Sequence, residues 1–238
     1  MNFFNPYLAL ALYPILANFV SAPAVYKWGL SHGGEAMPAD KQRSVERSGR
    51  LLWILRYLLL DAYIFYALQK TVARYPSVGF ILNHSILSLL SGATLGILFT
   101  LIRIYGASWR PGLRLANAWQ PEASGPISIW LTIILVGGFS EELWRAFCIV
   151  AIQNDGKNPQ FAVLLTSAVF AISQLSGRPS RITSNRDEIF FTALIGVALG
   201  TLFLATGSLV SVVTANIVYQ VSLLYVLRNG RPNDLTST

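Results

Sequence analysis

Charged residues are scarce in this sequence. Only 12% of its 238 residues are Asp, Glu, Lys or Arg, whereas a soluble domain usually carries about 25%. Hydrophobic residues make up 53% of the chain, and the mean hydropathy is +0.51. A water-soluble fold has too little interior for this much apolar surface, so the composition argues against a soluble protein and indicates a membrane protein.

Cysteine is almost absent. The single residue, Cys148, excludes an internal disulfide and any cysteine-rich metal site. We expect it to be a small buried apolar residue within a membrane span.

The net charge of +7 does not indicate a nucleic-acid partner. The basic residues lie in short segments between apolar runs and form no basic patch with interleaved aromatic residues. A membrane topology with positive residues on the inner side explains them better. The predicted partner is therefore the lipid bilayer, with no nucleic acid.

Seven apolar segments approach the roughly 20 residues that a helix needs to cross a bilayer. The sequence thus predicts an all-α, polytopic transmembrane helix bundle of about seven spans. The fifth segment is short, and we expect the third to be tilted or broken near Ser91-Gly92. The predicted spans are Pro6–Tyr26, Leu51–Gln69, Val78–Leu101, Ile127–Ile152, Phe161–Leu175, Ile189–Ala205 and Leu209–Leu227.

The distribution of basic residues sets the orientation. With the N-terminus outside and the C-terminus cytoplasmic, 13 of the 18 Lys and Arg residues lie in inner segments, three in outer segments and two within spans. Such a bias is typical of cytoplasmic loops, and we expect a bacterial cytoplasmic membrane. No Lys or Arg precedes Lys27, so the first segment is predicted to be a retained span rather than a signal peptide.

The short connections between spans leave no room for an inserted soluble domain. We expect residues 103–125, with Trp109 and Trp119, to form an interfacial stretch with aromatic anchors. Small residues recur at Gly92 and Gly96 and at Gly196 and Gly200. This spacing predicts close helix packing but no chemistry.

Ionisable residues within spans are the candidate functional residues, because each costs about 2.5–3.5 kcal/mol on insertion scales. Arg56 and Asp61 lie in the second span. Their spacing of five residues does not place them on one helix face. We interpret them as an Arg that reaches the interface and an Asp bonded to a neighbouring helix.

The fourth span holds the more informative group, in Gly-Gly-Phe-Ser-Glu-Glu-Leu-Trp-Arg at residues 137–145. Arg145 lies four residues after Glu141 and three after Glu142, so it can face either carboxylate. Two adjacent carboxylates in a low dielectric repel each other. One can pair with Arg145 while the other acts as a general base. On spacing alone, an ion-pair cluster that fixes helix packing explains the pattern equally well.

Four segments in order resemble the CPBP family of intramembrane proteases, the CAAX-protease and bacteriocin-processing group. Residues 141–147, Glu-Glu-Leu-Trp-Arg-Ala-Phe, are similar to its first motif. Residues 167–174 are similar to the second, in which Phe precedes His by four residues. Residues 196–209 resemble its glycine-rich helix and tight turn, and residues 213–220 fall where a final motif of His, then Asn or Asp four residues on, is expected.

The resemblance implies a membrane-embedded endopeptidase of a membrane-associated protein or peptide. In such proteins a glutamate activates water, histidines bind a metal or assist, and an Asn stabilises the oxyanion. It divides the chain into a three-span N-terminal region at 1–125, a protease-like core at 126–228 and a disordered tail at 229–238. The implied catalytic residues are Glu141, Glu142, Arg145, Gln174, Asn216 and Gln220.

The family's histidine positions hold Gln174 and Asn216, and its final Asn position holds Gln220. The only two histidines are His32, in a predicted loop, and His84, in the third span. A zinc ion, which the family implies, therefore lacks most of the ligands that a catalytic zinc site needs.

The first motif allows two alignments, because two residues rather than three separate Glu142 from Arg145. Alignment on the glutamates keeps both carboxylates and shifts the arginine. Alignment on Arg145 places Ser140 at the first glutamate position and Glu141 at the second. Both alignments stay open from the sequence.

Three functions are consistent with these features. The first is an intramembrane endopeptidase that uses glutamate-activated water. The second is a catalytically inactive family member that binds a membrane peptide or partner, as an immunity-type protein does. The third is a transporter or channel, but the sequence lacks the internal repeat common in transporters.

Overall fold

The computed structural model describes residues 7–8, 10–13, 15, 54–55, 57–66, 86–109, 127–175 and 186–229. These residues form helices and their connections, with no β-strand among them. After helical residues between 7 and 15, six helices follow. They are α1 (Tyr57–Tyr66), α2 (Ile86–Trp109), α3 (Ile127–Asn154), α4 (Pro159–Leu175), α5 (Arg186–Thr206) and α6 (Leu209–Asn229).

The prediction of an all-α membrane helix bundle is confirmed. Each of the seven predicted spans contains described helical residues. By length and composition, three segments among the described residues are apolar enough to cross a membrane: Ile86–Gly106, Ile189–Thr206 and Leu209–Val226. Large apolar side chains such as Leu87, Phe190 and Tyr225 are more than two-thirds exposed, as expected for surfaces that face lipid rather than water.

Helix α2 differs from the prediction for the third span. It is continuous from Ile86 to Trp109, so there is no break at Ser91-Gly92, and it extends beyond the predicted end at Leu101. Arg103, assigned from the sequence to an inner segment, lies within this helix and is 1% exposed. Its guanidinium carbon lies 5.3 Å from the centre of the Phe191 ring. Contact with an aromatic face allows a charged residue to stay in the bundle and the helix to continue past it.

Helices α2 and α6 pack closely because α2 presents two glycines to α6. A Cβ atom at Gly92 would collide with the backbone carbonyl oxygen of Ser211. A Cβ atom at Gly96 would lie 2.5 Å from the carbonyl oxygen of Ala215. Only residues without side chains permit this approach, so the packing role predicted for this pair is confirmed.

The connections before α4 and α6 follow from local chemistry. The side chain of Asn158 accepts a hydrogen bond of 2.8 Å from the amide of Gln160, and Pro159 occupies the first position of α4, where its missing N–H costs nothing. Helix α5 ends at Thr206, and the next residue, Gly207, has a φ of +61°, the left-handed conformation common at helix C-termini. Helices α4, α5 and α6 all contact α3, in which Cys148 is fully buried as predicted.

Candidate functional site

The acidic pair lies in the middle of α3 and is enclosed by the bundle. Glu141 is 8% exposed and Glu142 is fully buried. Adjacent helix residues point in different directions, so the two carboxylates have different neighbours.

Glu141 accepts hydrogen bonds from three donors on three segments. Its Oε1 atom accepts from the hydroxyl of Tyr57, at 2.7 Å, and from that of Tyr13, at 3.3 Å. Its Oε2 atom accepts a long hydrogen bond of 3.4 Å from the amide of Asn216. Both tyrosines are almost completely buried. The short bond from Tyr57 is thus the strongest of the contacts that fix this carboxylate.

Glu142 is held by one amide and one guanidinium. Asn216 Nδ2 donates to Oε1 over 2.9 Å, and Arg145 Nε lies 3.1 Å from Oε2. The ion pair joins residues three apart on one helix, which is one of the two pairings that the sequence allowed. Its atoms are close enough for attraction but not aligned as a hydrogen bond. Glu142, and not Glu141, is therefore the carboxylate that pairs with Arg145.

Arg145 is 1% exposed and rests on an aromatic face. Its guanidinium carbon lies 4.6 Å from the centre of the Phe170 ring on α4. Gly196 on α5 leaves space for the same group, because a Cβ atom there would lie 3.0 Å from Arg145 Nη1. Aromatic contact and a glycine neighbour thus accommodate this buried cation.

Asn216 and Gln220 form a short chain of amides on α6. Gln220 Nε2 donates to Asn216 Oδ1 over 2.8 Å, which orients the Asn216 amide so that its nitrogen faces both glutamates. Gly138 on α3 lets α6 approach, since a Cβ atom there would lie 3.2 Å from Ile217. The spacing of four residues on one helix makes this amide pair possible.

Asp61 reaches the same helix from α1. The hydroxyl of Ser140, which is fully buried, donates to Asp61 Oδ2 over 2.7 Å. The sequence interpretation of Asp61 as bonded to a neighbouring helix is consistent with this contact. Arg56 lies outside the described residues.

The structure brings together five of the six predicted site residues: Glu141, Glu142, Arg145, Asn216 and Gln220. Gln174 lies in α4 one helical turn after Phe170, and its side chain is outside the described part. His32 and His84 also lie outside the described residues.

The donor set at this site does not fit zinc. Among the described residues no three His, Cys, Asp or Glu side chains are arranged to hold a metal. Glu141 is engaged by two phenols, and a guanidinium lies against Glu142. A positive charge beside a carboxylate opposes binding of a second cation there, and amide oxygens suit hard cations rather than zinc.

Sequence reasoning missed the tyrosines. Tyr13 and Tyr57 precede Glu141 by 128 and 84 residues, so no local spacing connects them to it. Tyr13 also stacks on Trp144, with ring centres 4.5 Å apart. The available signal was only that each tyrosine places a hydroxyl inside a predicted span, where it needs a partner.

Comparison with known families identifies the region that holds this site. Residues 123–222 match the family described as Type II CAAX prenyl endopeptidase Rce1-like. No curated protein and no solved structure matches the chain. The matched segment contains both glutamates, Arg145, Asn216 and Gln220, whereas Tyr13, Tyr57 and Asp61 lie outside it. The C-terminal region of this integral membrane protein therefore matches the CAAX-protease family, the CPBP group whose motifs its sequence resembles.

Proposed function

We propose that this protein is a membrane-embedded endopeptidase that cleaves a membrane-associated protein or peptide with water activated by Glu141. The observation that carries the proposal is the difference between the two carboxylates. Glu142 is fully buried and contacts the amide of Asn216 and the guanidinium of Arg145. Glu141 retains some exposure, and its Oε2 atom receives only one long hydrogen bond.

A carboxylate has about four acceptor positions, and the three contacts of Glu141 leave one position on Oε2. A water molecule bound there donates to Glu141 and attacks the substrate carbonyl as the proton moves to the carboxylate. The base is held in place by Tyr57 rather than by a histidine. Glu142 and Arg145 act on the reaction only by positioning Asn216.

The developing oxyanion needs a hydrogen-bond donor. Asn216 already directs its nitrogen towards both glutamates. Gln220 uses one N–H on Asn216 and has a second, because a carboxamide nitrogen carries two hydrogens. We assign that second N–H to the oxyanion.

We propose a membrane-associated substrate because helices of a membrane bundle enclose the site. The family description names a CAAX prenyl endopeptidase, so a prenylated peptide with this C-terminal pattern is the first substrate class to test. We further propose a bacterial cytoplasmic membrane with the N-terminus outside, on the basis of the basic residues in the predicted inner segments.

A second candidate function is a non-catalytic one, in which the polar cluster stabilises helix packing and the protein binds a membrane peptide or partner. Two observations favour it. Two tyrosine hydroxyls already occupy Oε1 of Glu141, as expected for a carboxylate that serves to fix helix packing. The described part of the site also contains no histidine, and the carboxamides of Asn216 and Gln220 cannot shuttle protons.

Cleavage of membrane-anchored peptides in liposomes separates these functions. The peptide set includes a prenylated CAAX peptide and its unprenylated form. We expect wild-type cleavage, and a fall of about 10²–10⁴-fold for Glu141→Gln, the range typical of a lost general base. Asp155→Asn removes an exposed carboxylate outside the site and serves as the control, with unchanged cleavage.

Equal cleavage by wild type and Glu141→Gln would reject Glu141 as the base. Peptide binding by the wild type without any cleavage would establish the non-catalytic function. In that case the double variant Gln174→His, Asn216→His tests whether these two replacements account for the inactivity.

A further inference from the structure

Helix α1 places two polar side chains on the face that meets α3. Tyr57 and Asp61 are four residues apart and so lie one turn apart on the same face. Tyr57 donates to Glu141, and Asp61 accepts from the neighbouring Ser140. Helix α1 therefore runs beside the acidic segment of α3, although it lies outside the family-matched residues 123–222.

The carboxyl group of Asp61 is held at one oxygen and open at the other. Oδ2 accepts the Ser140 hydroxyl over 2.7 Å. Oδ1 is buried and has no hydrogen-bond partner. Buried polar atoms are nearly always paired, and an exception calls for a functional or a structural explanation. A water molecule or the nitrogen of a departing amine is the kind of partner that fits this oxygen when it carries a proton.

Peptide hydrolysis needs an acid as well as a base. Glu141 takes a proton from water, but the leaving amine must also gain one before the C–N bond breaks. The other polar groups in the described part of the site are carboxamides, Glu142, Arg145 and the phenols of Tyr13 and Tyr57, which donate to Glu141. The amides do not exchange protons at neutral pH. Glu142 and Arg145 are already paired with each other.

We propose that Asp61 is a further catalytic residue, the general acid that protonates the leaving amine through Oδ1, with Ser140 holding its other oxygen. The proposal rests on the proposed function of Glu141. Three carboxyl groups lie at residues 140–142 of α3: Glu141 and Glu142 belong to this stretch, and Asp61 is bonded to Ser140. The guanidinium of Arg145 lies against Glu142. Charge balance in a low dielectric favours keeping a proton on one of them, which is the state that an acid needs.

The step balances as follows in atoms and protons. The water oxygen bonds to the carbonyl carbon while one water proton moves to Glu141. The C–N bond then breaks as the Oδ1 proton of Asp61 moves to the nitrogen, which leaves an amine and a carboxylic acid. The proton on Glu141 returns to Asp61 through solvent before the next turnover, and no oxidant or reductant is involved.

Two substrates that differ only in the leaving group test this role. One is a membrane-anchored peptide, and the other is the matching nitrophenyl ester, whose phenolate leaves without a proton. We expect Asp61→Asn to lower peptide cleavage by about 10²–10⁴-fold and to leave ester cleavage close to wild type. Glu141→Gln lowers both rates, because both reactions need activated water. Asp155→Asn again serves as the control and changes neither.

A purely structural role for Asp61 predicts equal loss on both substrates, and that result overturns the proposal, as does wild-type peptide cleavage by Asp61→Asn. The double variant Asp61→Ser, Ser140→Asp exchanges the two groups, so that the carboxyl group lies on α3 and the hydroxyl on α1. We expect it to recover part of the peptide cleavage lost in Asp61→Asn, and it carries the test if the single variant does not fold. Absence of cleavage by wild type, or full activity of Glu141→Gln, shows instead that the proposed function is wrong, and the acid role falls with it.

Discussion

Helix α6 has two faces that are built in different ways. One face carries Ser211 and Ala215, whose backbone carbonyls meet the glycines of α2. The other carries Asn216 and Gln220, whose amides hold the glutamates of α3. The first face gains stability from close packing of backbone on backbone, and the second from hydrogen bonds and charge.

The two faces differ in what they require of the rest of the chain. The packing face needs only small residues at a spacing of four on one helix. The polar face needs the carboxylate acceptors of α3, and one of these is also held by tyrosine donors on α1 and at Tyr13. Its stability therefore depends on groups that are far apart in sequence. A substitution on the polar face is thus expected to leave a buried polar group without its partner, whereas one on the packing face only separates two helices.

The largest loss of stability is expected where a buried charge loses its ion-pair partner. Arg145→Met removes the guanidinium and leaves the fully buried Glu142 without its cation. Breaking a buried pair from one side costs about 3–5 kcal/mol, measured as the free energy of unfolding in detergent. The double variant Glu142→Gln, Arg145→Met removes both charges and should recover most of this loss. A single variant as stable as wild type would falsify the view that this pair is closed to solvent.

The next largest effect concerns the tyrosines. Tyr57→Phe removes a hydrogen bond of 2.7 Å to Glu141, and bonds to charged groups contribute about 1.5–3 kcal/mol. Tyr13→Phe removes a longer one of 3.3 Å and should cost less. Thermal unfolding of the two variants, which delete the same atom, gives the comparison directly. The reverse order, with Tyr13→Phe the less stable, contradicts the assignment of Tyr57 as the main partner.

The packing face should respond to volume alone. Gly92→Val places side-chain atoms against the backbone of Ser211, and overpacking of this kind costs about 1–3 kcal/mol. Thr94→Val, on the exposed side of the same helix, adds a β-branched apolar residue without a clash and is the matched control. Both are compared by thermal unfolding in detergent. Equal stability of the two variants shows that α2 and α6 do not need this close approach.

The sequence predicted the packing face better than the polar face, for a physical reason. Apolar length and glycine spacing are local properties, so the helices and the role of Gly92 and Gly96 could be read from short segments. The end of α2 could not, because Arg103 stays inside the bundle through a contact with Phe191 on another helix. Local hydropathy treats an arginine as the end of a span, whereas the tertiary contact decides.

At the candidate site, too, the features that are local in sequence could be predicted and those that depend on tertiary contacts could not. The grouping of Glu141, Glu142 and Arg145 follows from helix periodicity, and Asn216 and Gln220 were selected through the family resemblance. The sequence allowed Arg145 to pair with either glutamate, and the contact between Arg145 Nε and Glu142 Oε2 decides between them. The tyrosine donors and the contact of Ser140 with Asp61 depend on how α1 packs on α3, which no single segment encodes.

The smallest change in stability is expected at Gln220, which is bonded to Asn216 rather than to a glutamate. Gln220→Leu removes a hydrogen bond of 2.8 Å between two neutral amides in a half-buried position, worth about 0.5–1.5 kcal/mol. Gln160→Leu makes the same change at an exposed position and should leave unfolding unaltered. Cleavage separates the two roles of Gln220, because loss of an oxyanion donor lowers kcat by about 10²–10³-fold, far more than so small a stability change can explain. A small loss of stability with unchanged kcat would instead restrict Gln220 to orienting Asn216, and the polar face of α6 would then act on the reaction only through the glutamates it holds.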